Sequence, residues 1–185
     1  MTLEFDDAGV GDLLGGVVIG VYRSETREFS YDVIDVKFFQ PPEFSRRTYL
    51  REASEIVSRA IERMRIQEDE PILICSSYLL ERAARDLREK YGKDRVIVAK
   101  ITSDAQRLVE TAYLDEVRNL GYEPLAERDE KRGKSFFHML RWLKRDRRRL
   151  KYAKTGWPRL KRYLRLGRLR EPLPGLPSRR HRSRW

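Results

Sequence analysis

The feature that most constrains the fold is the opening stretch Leu3-Glu4-Phe5-Asp6-Asp7-Ala8-Gly9-Val10-Gly11-Asp12-Leu13-Leu14-Gly15-Gly16-Val17-Val18-Ile19-Gly20-Val21. A short apolar run ends in two adjacent carboxylates, a glycine-rich turn follows, and a strongly β-branched run takes over. β-Branched side chains suit a half-buried pleated surface and charged ones do not. Asp6 and Asp7 therefore mark a strand end, beside glycines that let backbone approach closely. Adjacent carboxylates there suit a divalent cation such as Mg2+, which takes hard oxygen ligands and keeps several waters. The same pattern also describes an acidic turn, because Asp side chains bond nearby backbone amides. Local pattern leaves both readings open.

The rest of the chain extends this strand pair into a sheet. Residues 3–5 and 16–23 read as strands, the polar residues 24–27 turn the chain, and residues 29–39 read as a third strand that Pro41-Pro42 ends. Three strands with short links make an antiparallel meander. Residues 49–64 then change to helical spacing, with Leu50, Ala53, Ile56, Val57, Ala60, Ile61 and Met64 on one face. Ser45, or a turn before the helix, starts it. A strand over residues 72–75, a helix over 78–90 stopped by Gly92, a strand over 95–101 and a helix from 102 or 103 to about 120 complete the order βββαβαβα. Strands that follow helical crossovers are parallel. The predicted fold is therefore α/β, a mixed five-stranded sheet with helices on its faces.

Charge divides the chain. The net charge is +11, yet residues 131–185 carry 21 basic groups against only Asp146 and Glu171, so the first 130 residues are net acidic. Such asymmetry marks a polyanion-binding tail. We divide the chain into a domain over residues 1–122 and a basic helical and extended tail over 123–185. Residues 135–152 read as a basic amphipathic helix, Trp157-Pro158 breaks it, residues 160–169 repeat the Leu/Arg pattern, and Pro172, Pro174 and Pro177 deny further structure. Phosphate-neutralising candidates are Arg141, Lys144, Arg145, Arg147, Arg148, Arg149, Lys151, Lys161, Arg162 and Arg165. Interleaved Phe136, Phe137, Trp142, Tyr152, Trp157 and Tyr163 are placed to stack on unpaired bases. An anionic membrane surface is the competing partner, since basic amphipathic helices also lie there. His138, between aromatics, reads as a surface or packed imidazole.

The single cysteine, Cys75, excludes an intramolecular disulfide and any Cys-rich metal site, and its apolar run reads as a buried thiol. No run of about twenty apolar residues appears, and the N-terminus lacks a basic segment followed by an apolar core, so a cytoplasmic protein without a transmembrane helix is expected. Charged residues make up 37% of the chain, with one Asn and three Gln, a balance that resembles proteins of hot environments.

The order βββαβαβα is that of the ribonuclease H-like fold, and two segments resemble type 2 ribonuclease H. That family opens on a strand leading into Asp-Glu-Ala-Gly, a Gly-x-Gly turn and a Gly-started β-branched strand. Here Asp6-Asp7-Ala8-Gly9-Val10-Gly11 is followed by Gly15-Gly16-Val17-Val18-Ile19-Gly20. The family's Ala-Lys-Val-Thr-Arg-Asp-like run is similar to Ala99-Lys100-Ile101-Thr102-Ser103-Asp104. The chain also departs from the pattern. The strand that in the family ends in a further catalytic Asp ends here in Cys75-Ser76-Ser77, Val10 stands mid-turn where the family has Arg or Lys, and Asp7 replaces a Glu.

The resemblance implies hydrolysis of a phosphodiester with Mg2+ or Mn2+, two ions about 4 Å apart stabilising the attacking water and the leaving oxygen. Asp6, Asp7 and Asp104 are then the catalytic and metal-ligating residues, with Glu52, Glu55 or Asp12 as a further acid. Each has a plainer role: Glu52 and Glu55 as solvated helix charges, Asp12 as a turn residue, Asp104 as a first-turn acid favoured by the helix dipole. Ser76 and Ser77 would cap the second helix. Two functions follow: a divalent-metal-dependent nuclease acting on RNA or RNA-containing duplexes, or a catalytically inactive ribonuclease H-like module binding RNA or a ribonucleoprotein. The carboxylates of Asp6 or Asp7 must meet Asp104 for the first to hold in this form.

Overall fold

The computed structural model describes residues 1–126, 132–158, 160 and 162–164. Five strands, β1 Leu3–Ala8, β2 Val17–Arg23, β3 Glu28–Ile34, β4 Ile72–Cys75 and β5 Val96–Ala99, form one sheet in the order β3-β2-β1-β4-β5. Helices α1 Thr48–Met64, α2 Glu81–Tyr91, α3 Asp104–Asn119 and α4 Arg132–Arg145 surround it. β2 runs antiparallel to β1 and β3, whereas β4 is parallel to β1 and β5. The mixed five-stranded sheet expected from the sequence is thus the observed one.

β1 lies at the centre of the sheet, so both of its faces are covered. Leu3 and Phe5 join Val17, Ile19 and Val21 of β2 under Ala53, Ile56 and Val57 of α1 and Leu87 of α2. On the other face, Ala8 and Val18 pack with Val109, Ala112, Tyr113 and Val117 of α3. Met139, Leu140 and Leu143 of α4 complete that same cluster. α3 comes down closely on β2 because Gly20 has no side chain: a Cβ there would lie 2.3 Å from Val109 Cγ2.

Several elements differ from the sequence expectation, each for a local reason. The third strand ends at Ile34, because Asp35 accepts a hydrogen bond from Lys37 N at 2.8 Å and starts a 3-10 turn, Val36–Phe39. Ser45 caps nothing; its hydroxyl donates to Pro42 O at 2.6 Å, and a turn ending at Arg47 leads into α1. The tail helix stops at Arg145 instead of running to 152. Asp146 takes extended backbone and accepts from Arg148 N at 2.9 Å, starting a second 3-10 segment, Arg147–Tyr152. Ser103 does cap α3, accepting from Ala105 N at 3.2 Å.

At the end of the sheet remote from Asp7, a buried ion pair closes the turn into β4. Arg23 donates to Glu70 from Nε at 2.7 Å and from Nη2 at 3.1 Å, and also to Met64 O at 2.9 Å. Desolvation pushes the Glu70 carboxyl up, but the Arg23 and Gln67 hydrogen bonds outweigh it and hold the group below its ordinary value. Glu70→Gln leaves the buried guanidinium with only the half-exposed Glu28, 2.9 Å from Nη1, as counter-charge, so a stability loss of about 3 kcal/mol is expected in urea titrations near pH 7. The loss should shrink as pH falls through the carboxylate range, because a depressed folded-state pKa stabilises fully above the unfolded value and progressively less down through the folded one.

Candidate active site

β1 delivers Asp6 and Asp7 to the edge of a glycine loop, opposite Gly20 and Ile19 of β2. The chain leaves the sheet at Gly9, whose φ of +89° favours glycine and whose missing Cβ would lie 2.2 Å from the Tyr113 ring of α3. Tyr113 Oη donates to Leu14 O at 3.0 Å, fixing the far end of the loop to the same helix.

A segment from the basic region locks the loop from its other side. Leu14 and Ala153 form an antiparallel bridge, with Gly15 N bonded to Tyr152 O and Lys154 N to Leu13 O, both at 2.9 Å. Gln40 Nε2 donates to Lys151 O at 3.0 Å and Ala153 O at 2.9 Å, and Gly156 N donates to Phe39 O at 2.9 Å. At the centre is Lys154, fully buried, whose ammonium donates to Gly9 O and, at 3.1 Å, to Asp12 O. The rings of Phe39 and Trp157 lie 5.3 and 6.0 Å from it.

The two carboxylates differ in surroundings. Asp6 is buried and accepts from Asp7 N at 2.9 Å and from the Cys75 thiol; burial raises its pKa, and those hydrogen bonds partly oppose the rise. Asp7 is pushed up to about 6, first by burial and further by the charges of Asp6 and Glu110, against the pull of the Ser77 hydroxyl and Lys154. Ser77 Oγ donates directly to Asp7 Oδ1. Asp6, Asp7 and Cys75 each offer one ligand atom, all within 4.8 Å of one another. Burial and the two carboxylates push the Cys75 thiol up to about 12, so it stays protonated and is a poor partner for a hard cation.

A cavity of about 250 Å³ opens beside Asp7, lined by the loop from Ala8 to Leu13, by Glu110 of α3 and by Arg132, Ser135, Phe136 and Met139 of α4. Among the described residues Ser135 Oγ is buried there without a hydrogen-bond partner. Asp12 lines the cavity, as its place in the glycine loop implied, whereas Asp104 stands apart. Its side chain is 61% exposed and pairs with Arg107 at 3.3 Å, and it is absent from the Asp6–Asp7 group. The acid of α3 that faces Asp7 is Glu110, which the sequence reading missed. Its signal was helical spacing, since residue 110 lies between the inward-facing Val109 and Tyr113.

The remaining candidates sort by contact. Glu52 and Glu55 are helix-surface charges paired with Arg59 at 3.5 Å and Arg51 at 3.6 Å. Ser77, expected to cap α2, turns to Asp7 instead, and α2 starts without a side-chain cap. His138 is packed, its Nδ1 lying 2.8 Å from Tyr122 Oη. Arg141, Lys144, Arg145, Arg147, Arg148, Lys151 and Arg162 are exposed, while Arg149 stacks 4.3 Å above Trp142 and donates to Trp142 O. Lys161 and Arg165 lie outside the described residues. Of the aromatics placed for stacking, Trp142 is tied to Gly121 O and Tyr122, and Phe137 alone is strongly exposed among the described ones, at 52%.

No protein-family model and no curated protein matches the chain. A search of solved structures found Bst-RNase HIII in complex with Mn2+, at a TM-score of 0.56 and 15% identity over 91% of this chain and 70% of that one. The fold is ribonuclease H-like. At that identity the likeness speaks for the fold alone, and the chemistry rests on the residues above. No helix among the described residues is long and apolar enough to cross a membrane.

Two measurements follow from the buried charges. Lys154→Met removes the donor to two loop carbonyls and leaves them buried, so a loss of about 2 kcal/mol or more is expected in urea unfolding. Asp7→Asn should have the opposite sign. The folded-state pKa near 6 lies above the unfolded value near 4, so ionising Asp7 costs stability progressively as pH rises between them. The Asn variant should therefore be more stable than the parent at pH 7.5, by on the order of 2 kcal/mol, and no more stable at pH 3.5.

Proposed function

We propose that the chain is a divalent-metal-dependent phosphodiester hydrolase acting on RNA or RNA-containing duplexes, with its basic segment holding the phosphate backbone. The observation that carries this reading is the meeting of Asp7 with Glu110 across a cavity walled by the glycine loop and the first turns of α4. The donors suit a hard cation: Asp6 and Asp7 would hold it from the end of β1, and Glu110 and Asp12 line the same cavity. Mg2+ or Mn2+ bound there supplies Lewis-acid polarisation of the phosphodiester.

The chain's own groups do the rest. Ser77 orients the Asp7 carboxylate through its hydroxyl, as a neighbour of a ligand commonly does. Lys154 and Tyr113 keep the glycine loop in one shape, so that backbone rather than a mobile side chain faces the substrate. Arg141, Lys144, Arg145, Arg147 and Arg162 stay exposed and neutralise phosphates, giving affinity that falls with salt. In this reading Glu110 takes the part that sequence resemblance gave to Asp104.

One observation favours the rival, a non-cleaving RNA-binding module. β4 ends at Cys75 and is followed directly by Ser76 and Ser77 where a carboxylate would be needed, and Ser77 already occupies an oxygen of Asp7. Labelled RNA, DNA and hybrid substrates incubated with Mg2+ or Mn2+ decide between the two. Cleavage that falls about a hundredfold or more in Asp7→Asn and Glu110→Gln, and less than about threefold in Asp104→Asn, supports the hydrolase. Salt-sensitive binding with no cleavage by the parent protein sinks it and leaves the binding module.

A further inference from the structure

A second concentration of arginine lies outside the basic tail, on the α1–α2 side of the molecule. The turn before α1 and the first turns of α2 enclose a groove of about 430 Å³ lined by Arg46, Arg47, Leu50, Tyr78, Glu81, Arg82 and Arg85. It holds four guanidinium groups against one carboxylate. Arg46 pairs with Glu43 at 3.4 Å and Arg82 with Asp86 at 3.6 Å, both on the protein surface. Arg47 and Arg85 are exposed and have no ion pair among the described residues. Arg47 also has a positive φ of 53°, a backbone shape disfavoured for residues with side chains, and hydrogen bonds on both sides of it hold that turn.

Tyr78 joins this groove to the acidic end of β1. It follows Ser77, the residue bonded to Asp7, and it feels the Asp7 charge. Its ring meets Tyr49 edge-on, with centroids 6.5 Å apart, and is 48% exposed, so the ring is held from one edge while much of its surface stays open. An open, fixed aromatic ring beside unpaired guanidiniums is the combination that single-stranded nucleic acid requires, a platform for a base and charge for its backbone. An acidic peptide would satisfy the arginines but leave the ring without a partner.

We propose that the Arg47–Tyr78–Arg85 groove binds the nucleic-acid strand as it leaves the Asp7 end of the sheet, with a base on Tyr78 and phosphates on Arg47 and Arg85. The strand would then be held on two sides of the acidic cavity, by α4 on one and by this groove on the other. The proposal rests on a nucleic-acid substrate, as the hydrolase reading does, but it does not need cleavage.

The test uses the full chain with EDTA present and a fluorescein-labelled oligoribonucleotide, with anisotropy followed over a range of salt. Replacing Arg47 and Arg85 together by Ala should weaken binding about tenfold and flatten the log–log salt slope by about 1.5, as expected for two lost phosphate contacts. Tyr78→Ala should weaken single-strand binding about fivefold or more with little change in slope. A charge-matched control, Arg59→Ala with Arg118→Ala, removes two exposed, already paired arginines and should change affinity less than about twofold.

Equal affinity and slope in the groove variant and the parent would overturn the proposal, and so would a parent protein that does not bind the oligoribonucleotide. Retention of Arg47 and Arg85 dependence on vesicles of anionic lipid, without such dependence on RNA, would overturn it in favour of a membrane surface. Loss of cleavage activity with groove-dependent binding intact would instead remove the hydrolase reading and leave the groove standing.

Discussion

Burying the ammonium of Lys154 costs several kcal/mol unless other groups replace its water, and the segments around the candidate site are arranged to do that. The carbonyls of Gly9 and Asp12 accept its hydrogen bonds, Phe39 and Trp157 offer their rings, and the Asp7 charge lies nearby. These groups come from the glycine loop, the 3-10 turn after β3, the end of β1 and the segment that follows α4. One cation therefore ties together three regions that are far apart in sequence: the end of β1 with the loop that continues it, the turn after β3, and its own segment after α4. It also explains how a loop with few side chains keeps a single shape: its carbonyls are bonded on one side and Tyr113 packs into the space left by Gly9 on the other.

The acids obey a related balance. Both Asp6 and Asp7 are held up by burial, and Asp7 is raised further by the charges of Asp6 and Glu110. Such a cluster is unfavourable to the fold when no cation is bound, and Ser77 and Lys154 relieve only part of that cost. A chain selected for stability alone would replace these carboxylates with neutral groups. Their presence at the end of the central strand, beside a cavity, is the physical reason to regard them as functional.

The sheet was legible because its signals are local. β-Branched runs, helical spacing and glycine stops each occupy fewer than twenty residues, and the right order of crossovers then dictates the topology. Asp6 and Asp7 stood out because charge at a strand end conflicts with strand propensity. Glu110 did not, since a glutamate on a charged helix looks like any other until the helix is docked, and the sequence match drew attention to Asp104, nearly two turns earlier. Lys154 was hidden for the same reason. In a segment with 21 basic groups nothing marks the one that is buried, and only the closing of residues 152–154 against the glycine loop distinguishes it. The short 3-10 turns at Asp35 and Asp146 were missed because an Asp side chain that caps a turn competes with strand or helix patterns that continue on either side.

The bond from Lys154 to Gly9 spans 145 residues. A polypeptide is made from its N-terminus, so β1, the glycine loop and both acids emerge long before the ammonium that fixes them. Until then the sheet can pair, but the carbonyls of Gly9 and Asp12 lack their buried donor and the glycine loop is open on that side. Completion of the basic segment closes it. The acidic end of the sheet thus takes its final shape last, as the chain also acquires its most basic segment.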